Sequence, residues 1–390
     1  MIKTLTFYSN YFNHHQKAFC DSLESLLGEG FTFVETEPME EFRSRMGWGK
    51  EDIPSYVLKS HRGEEERKKA FELALSSDVV IIGTAPEELI SRRMEENRLT
   101  FRYSERPLKE GRFKIFIPRL AKKFVVNHIS KRKKELYILA AGAFVSSDYR
   151  FLHSYIGKCY KFGYFPKAEE KSFEELQQSR AGHDKARILW AGRFLKLKRA
   201  DLLIRAAKSC RDNGADFELR FVGDGEEEKR LKGLVKKLRL SDVASFTGFL
   251  SPEDTRREME EADIFVCTSN KLEGWGSVIY EALSAGLAVI ATSKAGATPF
   301  LIREGKTGLV FESGNAADLA EKLMILLHAP EEARRLGQNA YDNMQRHWNP
   351  EEAAKRLLAV SERLLSGEHF FFEEGPLSYA QEMKEGWYRS

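Results

Sequence analysis

Short apolar runs ending in glycine alternate with amphipathic stretches through the second half of the chain. Ile188–Ala191 ends at Gly192, and Phe217–Val222 ends at Gly223-Asp224-Gly225. Ala244–Thr247 repeats the pattern at Gly248, and Ile264–Thr268, Ala288–Thr292 and Gly308–Phe311 are further short apolar runs. Runs this short and this apolar predict strands buried on both faces. Between them, Ala200–Ala207, Glu226–Leu238, Pro252–Glu260, Ser277–Ala285 and Ala316–Leu327 read as helices. Strands alternating with helices at this spacing predict a doubly wound parallel sheet. In such sheets ligands bind at the carboxyl ends of the strands, near a switch point, and the glycine turns fall there.

The first half alternates less regularly. Leu5–Tyr8 predicts a strand, followed by a polar turn from Ser9 to His15 and a helix with Phe19, Leu23, Leu26 and Leu27 on one face. Phe31–Val34 and the run from Asp78 to Gly83 predict further strands, and an apolar segment covers Leu136–Val145. Lys167–Asp184, rich in Glu, Lys, Gln and Ser, reads as a linker. Pro350–Leu365 reads as a closing helix, ahead of an aromatic tail from Phe370 to Tyr388. The expected layout is a first domain over 1–166, a linker over 167–185, a second domain over 186–365 and a tail over 366–390.

The 390 residues suit two domains of about 200 residues each. Apolar residues make up 42% and charged residues 31%, which excludes a disordered chain. Cys20, Cys159, Cys210 and Cys267 form no CxxC pair and read as buried free thiols in a reducing cytoplasm. The longest apolar run is far below the ~18 residues of a membrane span. No secretory leader is visible.

Net charge is only +3, but it is unevenly spread. Arg112–Glu135 carries nine basic residues and one acid, so that segment is +8 and the remainder −5. The segment interleaves its charges with Phe113, Ile115, Phe116, Ile117, Leu120, Phe124, Val125, Val126 and Ile129. No nucleic-acid recognition motif accompanies it. Anionic headgroups attract such a segment by about 1 kcal/mol per basic residue. A peripheral position at the cytoplasmic leaflet, through Arg112–Lys134, is therefore expected.

Two motifs carry chemistry. In Gly192-Arg193-Phe194-Leu195-Lys196-Leu197-Lys198, glycine admits a ligand to the strand end. Arg193 and Lys198 then bracket a loop able to neutralise a diphosphate, one as a planar fork and one as a point charge. In Glu273-Gly274-Trp275-Gly276-Ser277-Val278, two glycines lead into a helix that reaches Glu281. A helix N-terminus favours phosphate. Glu281 lies just over one turn into that helix, and a carboxylate suits a ribose diol.

Taken together, these turns resemble the family 4 retaining glycosyltransferases (glycosyl transferases group 1) of the GT-B fold, of the bacterial surface-polysaccharide type. Gly-Arg-x4-Lys and Glu-x7-Glu occur in that family's order and separation, with Val222–Gly225 and Gly248-Phe249 between them. The resemblance implies two Rossmann-like β/α/β domains facing a central cleft. It implies that Arg193 and Lys198 meet the donor diphosphate, Glu281 the ribose and Glu273 the transferred sugar. Backbone at Gly274, Gly276, Ser277 and Val278 would cradle the distal phosphate or sugar. Gly248 and Phe249 would line the base pocket, and Gly192 and Gly223 would shape its walls.

The family implies a nucleotide-sugar donor, UDP ahead of GDP, and neither metal nor cofactor. It also implies a glycan or polyprenyl-linked acceptor in capsule, other surface-polysaccharide or glycolipid assembly, and no nucleic-acid partner. The usual glycine pair after the first strand is missing. Asn13, His14 and His15 stand there instead: in this fold that loop faces the cleft, which would make His14 or His15 a catalytic residue meeting the diphosphate or acceptor, or else the turn simply caps the helix through Asn13. Glu105 and Arg106 are further acceptor-side candidates, or an ordinary ion pair. A GT-B nucleotide-sugar epimerase and a non-catalytic nucleotide-sugar-binding subunit are the alternatives.

Overall fold

A computed structural model describes residues 1–40, 53–167 and 170–389. The chain forms two units. Met1–Ala168 and His347–Glu385 make the first; Glu169–Arg346 and Gly386–Ser390 make the second.

The first unit holds β1 (Leu5–Ser9), β2 (Phe31–Glu35), β3 (Val57–Lys59), β4 (Val79–Ile82), β5 (Thr100–Ser104), β6 (Leu136–Ala141) and β7 (Cys159–Phe162). They lie in the order β3-β2-β1-β4-β5-β6-β7, and each neighbouring pair is parallel. The second unit holds β8 (Ala186–Ala191), β9 (Phe217–Val222), β10 (Ala244–Gly248), β11 (Ile264–Cys267), β12 (Ala288–Thr292) and β13 (Leu309–Phe311). Their order is β10-β9-β8-β11-β12-β13, again parallel throughout. Both units are Rossmann-like: crossover helices cover both faces, so β4, β6, β11 and β12 are buried along their whole length.

Three strands escape the sequence pattern, the three-residue edge strand β3 and two others, one with a charge inside it and one at the opposite edge. Arg102 interrupts the apolar run of β5, yet it is 8% exposed and paired to Glu87 at 2.5 and 3.1 Å. At the sheet edge, β7 gains a partner from the tail. Leu377 N donates to Lys161 O, Lys161 N to Ser378 O and Ala380 N to Cys159 O.

The expected boundaries need three corrections. First, the supposed linker contains a helix, Phe173–Arg180, opened by a capping box between Ser172 and Glu175. Its last residue is buried in the second unit, where Arg180 donates to the carbonyls of Glu260, Ala285 and Gly286. Residues 168 and 169 of that stretch lie outside the described residues. Second, helix Pro350–Leu365 belongs to the first unit and packs on helix His14–Leu27. The chain returns at His347, where Trp348 stacks on Phe165 and His347 pairs with Glu374. Third, the tail ends on the second unit: Trp387 Nε1 donates to Ser293 O and Arg389 pairs with Glu312.

Arg180→Ala would strand two buried carbonyls and one partly buried one, and is expected to cost the second unit about 2–4 kcal/mol. Denaturant titration checks this, with Lys208→Ala on the surface as the neutral control.

Candidate functional site

The order of strands in the second unit reverses between β8 and β11. Loops leaving the carboxyl ends of these neighbours diverge to opposite sides and open a crevice. The loop after β8 is Gly192–Arg199, and the loop after β11 runs from Thr268 to Gly276. Both motifs therefore arrive at one place, although 75 residues separate Lys198 from Glu273.

Backbone bonds lock the two loops together. Asn270 N donates to Leu197 O at 2.8 Å, and Thr268 Oγ1 donates to Lys198 O at 2.6 Å. Trp190 Nε1 in turn donates to Thr268 Oγ1 at 2.9 Å, anchoring the crossing in the core. Lys198 Nζ then meets Glu273 Oε2 at 2.6 Å, and the Ser269 hydroxyl donates to the same oxygen at 2.8 Å. Burial by itself would lower the Lys198 pKa; the Glu273 carboxylate outweighs it and holds the ammonium above its ordinary value. Lys198 is therefore fully charged at neutral pH. Arg193 is exposed beside it, so the loop carries one cation held by a carboxylate and one open to solvent.

The glycines make room for this. A Cβ on Gly223 would lie 2.1 Å from Gly192 O, and one on Gly225 2.7 Å from Phe194 O. The turns after β8 and β9 thus pass at backbone contact. Gly223 N also donates to Gly248 O at 2.9 Å, which ties in the turn after β10. Phe249, next along, is 47% exposed.

Helix Ser277–Ser284 begins at Gly276, whose φ of 92° no side-chain residue adopts readily. Gly274, Trp275 and Gly276 are buried, while Ser277 and Val278 are partly open. The first turn presents backbone N–H groups and the positive end of the helix dipole. Further along the helix, Glu281 is desolvated, which pushes its carboxyl pKa up; Arg256 and Lys198 oppose that rise. Cations, helix N-terminus and a carboxylate thus converge, as a polyphosphate attached to a diol requires.

In the first unit the reversal lies between β1 and β4. The loop after β1 is braced by Glu35, which is buried. It accepts from Phe12 N at 3.0 Å and lies 3.0 Å from His61 Nε2 and 3.5 Å from Lys59 Nζ. Asn13 caps the helix, accepting from His15 N at 3.0 Å. His14 and His15 stack with centroids 4.0 Å apart, and His15 faces Tyr164. Burial lowers the His14 pKa to about 4, so it is neutral at pH 7. Arg106 is held by Asp148 through two bonds of 3.0 and 3.2 Å. Glu105 accepts from Tyr164 and Lys109. These contacts brace the loop after β5.

The model of the family described as glycosyl transferases group 1 matches residues 171–343. Spore coat protein SA of Bacillus subtilis is 31% identical over 203 residues, 50% of this chain and 53% of that protein. Amylovoran biosynthesis glycosyltransferase AmsK of Erwinia amylovora is 28% identical over 187 residues, 47% of this chain and 46% of that protein. Residues 171–343 are thus similar to the glycosyl transferases group 1 family. The chain spans about half the length of these two curated relatives. Among solved structures, Anabaena Alr3699/HepE in complex with UDP superposes with a TM-score of 0.67 at 16% identity, covering 93% of this chain and all of that one. Sucrose-phosphate synthase of Thermosynechococcus elongatus gives 0.64 at 17% identity, covering 94% and 100%. The fold is accordingly GT-B.

Within residues 171–343, sequence motifs indicate Lys198 and Glu273 separately but not their pairing. Thr268 and Ser269, which position the pair, lie just past β11 with no motif of their own. Glu35 was equally silent, because an isolated Glu at a strand end reads as solvent-facing.

Proposed function

We propose that the chain is a retaining, metal-independent glycosyltransferase. It moves a sugar from a nucleotide-sugar, UDP ahead of GDP, onto a glycan or polyprenyl-linked acceptor in bacterial surface-polysaccharide or glycolipid assembly. The observation that carries this reading is the meeting of Lys198, Glu273 and the N-terminus of helix Ser277–Ser284 at the β8–β11 switch point. The UDP bound by the Anabaena protein and the biosynthetic role in the name of AmsK support the donor and acceptor classes.

In this reading Lys198 and Arg193 face the diphosphate, Glu281 accepts from both ribose hydroxyls, and Glu273 orients the transferred sugar. The bond from the anomeric carbon to the diphosphate oxygen breaks. The acceptor oxygen bonds to the same face of that carbon, and its proton passes to the leaving diphosphate. Positive charge already in place stabilises the departing oxygen without reorganisation. Among the described residues no helix is long and apolar enough to cross a membrane. We place the protein peripherally at the inner leaflet, where lipid-linked acceptors reside.

Thermal-shift titration against UDP, GDP, ADP and their sugars tests the donor site. One nucleotide should raise the melting temperature, and Glu281→Ala should weaken it about 10- to 100-fold. No shift with any nucleotide would overturn the reading. The response also has a predicted pH dependence. The Glu281 carboxyl is held above its ordinary value, so it protonates earlier as pH falls, and diol binding weakens from that higher pH downward. Glu281→Gln should remove this acid limb, while the ligand's own titration remains common to both proteins.

A further inference from the structure

The crossover between β5 and β6 is folded inside out. It comprises a 3₁₀ turn at Arg112–Phe116, helix Pro118–Phe124 and a wide turn at Val125–Ile129. A surface helix ordinarily buries its apolar residues and exposes its polar ones. Here Asn127 and His128 are buried at 8% and 7% exposure, whereas Phe116 is 81% exposed, Phe113 58%, Val125 50% and Val126 49%. With Ile117 at 40%, five exposed apolar side chains in one short segment exceed the scatter of single exposed residues on a soluble surface.

His128 is held inward, so the outward apolar face is set by packing. His128 Nδ1 lies 3.0 Å from the Tyr155 hydroxyl, and Lys131 reaches Glu87, the carboxylate that also holds Arg102. Phe124 is the one phenylalanine of the segment that points inward. At the near end, the Arg112 guanidinium sits over the Phe151 ring at 4.4 Å.

Charge selects the occupant. Arg112, Arg119, Lys122, Lys123, Arg132 and Lys133 are exposed, and no acid lies between Arg112 and Lys134. A second copy docked face to face would set cations on cations. An anionic bilayer offers both a negative surface for the lysines and an apolar layer for the phenylalanines.

We infer that Arg112–Lys134 is a membrane-inserting platform, with Phe113, Phe116, Val125 and Val126 entering the acyl boundary of an anionic leaflet and the flanking basic residues meeting its headgroups. This rests on the peripheral placement proposed above and gives it a mechanism. It needs nothing from the donor site, which lies in the other unit.

The test is flotation of the full chain with phosphatidylcholine vesicles, with and without phosphatidylglycerol, at low and high salt. Anionic vesicles should carry the protein up at low salt, and part of the binding should survive high salt. Phe113→Ser with Phe116→Ser should weaken binding at least about 10-fold and abolish the salt-resistant part. Lys122→Glu with Lys123→Glu should remove the preference for phosphatidylglycerol. All four positions are exposed, and an unchanged nucleotide-dependent thermal shift verifies that each variant is folded. No flotation of the wild type would overturn the inference, as would phenylalanine variants that bind like wild type. Single-stranded nucleic acid bound through the same phenylalanines, without flotation, would reassign the patch and also overturn it. None of these outcomes alters the nucleotide titration, so the donor reading stands or falls separately.

Discussion

Lys198→Ala is expected to lower the rate of sugar transfer by about 10²–10³-fold, the usual loss when a preorganised group facing developing negative charge is removed. Single-turnover kinetics should place the loss in the chemical step. The same substitution should destabilise the second unit. Lys198 and Glu273 are 18% and 14% exposed, so they behave as a buried pair and not as a surface one. Removing one partner from such a pair costs toward the lower end of about 3–5 kcal/mol, because the other charge is left without compensation. The two effects separate in the double variant Lys198→Ala with Glu273→Ala. It no longer contains the orphan carboxylate, so it should be at least as stable as Lys198→Ala alone while remaining as slow. A double variant whose loss equals or exceeds the sum of the singles would show that the pair is not coupled in this way. The pH dependence has a defined sign. The Lys198 pKa is raised in the folded protein, so the pair contributes fully below the ordinary lysine value. That contribution is lost only as pH climbs above it.

The second unit was largely legible because β11, β12 and β13 are buried along their whole length. Val266 and Ile290 have no polar neighbours to confuse the pattern, and a glycine marks where several strands end. The first unit hid β5 behind Arg102, whose charge is neutralised by Glu87, a residue 15 positions away. No local pattern reports such a partner. Arg93 is the extreme case. It is fully buried, with donors placed on Thr100 and on the carbonyls of Ala74, Ser77, Asp78 and Leu99. In the sequence it looks like any charged helix residue.

The helix Pro350–Leu365 shows a different limit. Its amphipathic pattern says that one face is buried but not against which unit, and proximity in sequence pointed to the wrong one. The helix Pro330–Arg346 before it stays with the second unit because Gly337 lets it approach the chain at Gly286. A Cβ there would lie 2.3 Å from the Gly286 carbonyl oxygen. At the candidate site, residue types and spacing indicated Lys198, Glu273 and Glu281. What could not be read is that Thr268 and Ser269 position the first two, since those contacts exist only once β8 and β11 are neighbours.

Gly223→Ala is expected to be among the most damaging single substitutions in the chain. Two independent costs coincide there. The backbone has φ of 128°, which a residue with a Cβ adopts only under strain. The added carbon would also lie 2.1 Å from Gly192 O, and that obstacle is backbone. Gly192 cannot retreat easily, because its own N–H donates to Val222 O at 3.0 Å while Gly223 N is fixed on Gly248 O. Relief therefore requires the turns after β8 and β9 to part, which also displaces Arg193 and loosens the loop leading to Lys198. A cost of about 3 kcal/mol or more follows for the second unit, accompanied by loss of the nucleotide-dependent thermal shift. Gly248→Ala is the matched control. Its φ of 77° is equally left-handed, but nothing lies within 4 Å of the new carbon. It should cost only the conformational strain, about 1–2 kcal/mol. Calorimetry on the two variants distinguishes strain from collision: similar losses would mean that the turns at Gly192 and Gly223 are not in backbone contact, and a Gly223 variant much worse than the Gly248 one would mean that close approach of these two turns is what holds the loop carrying Arg193 and Lys198 in place.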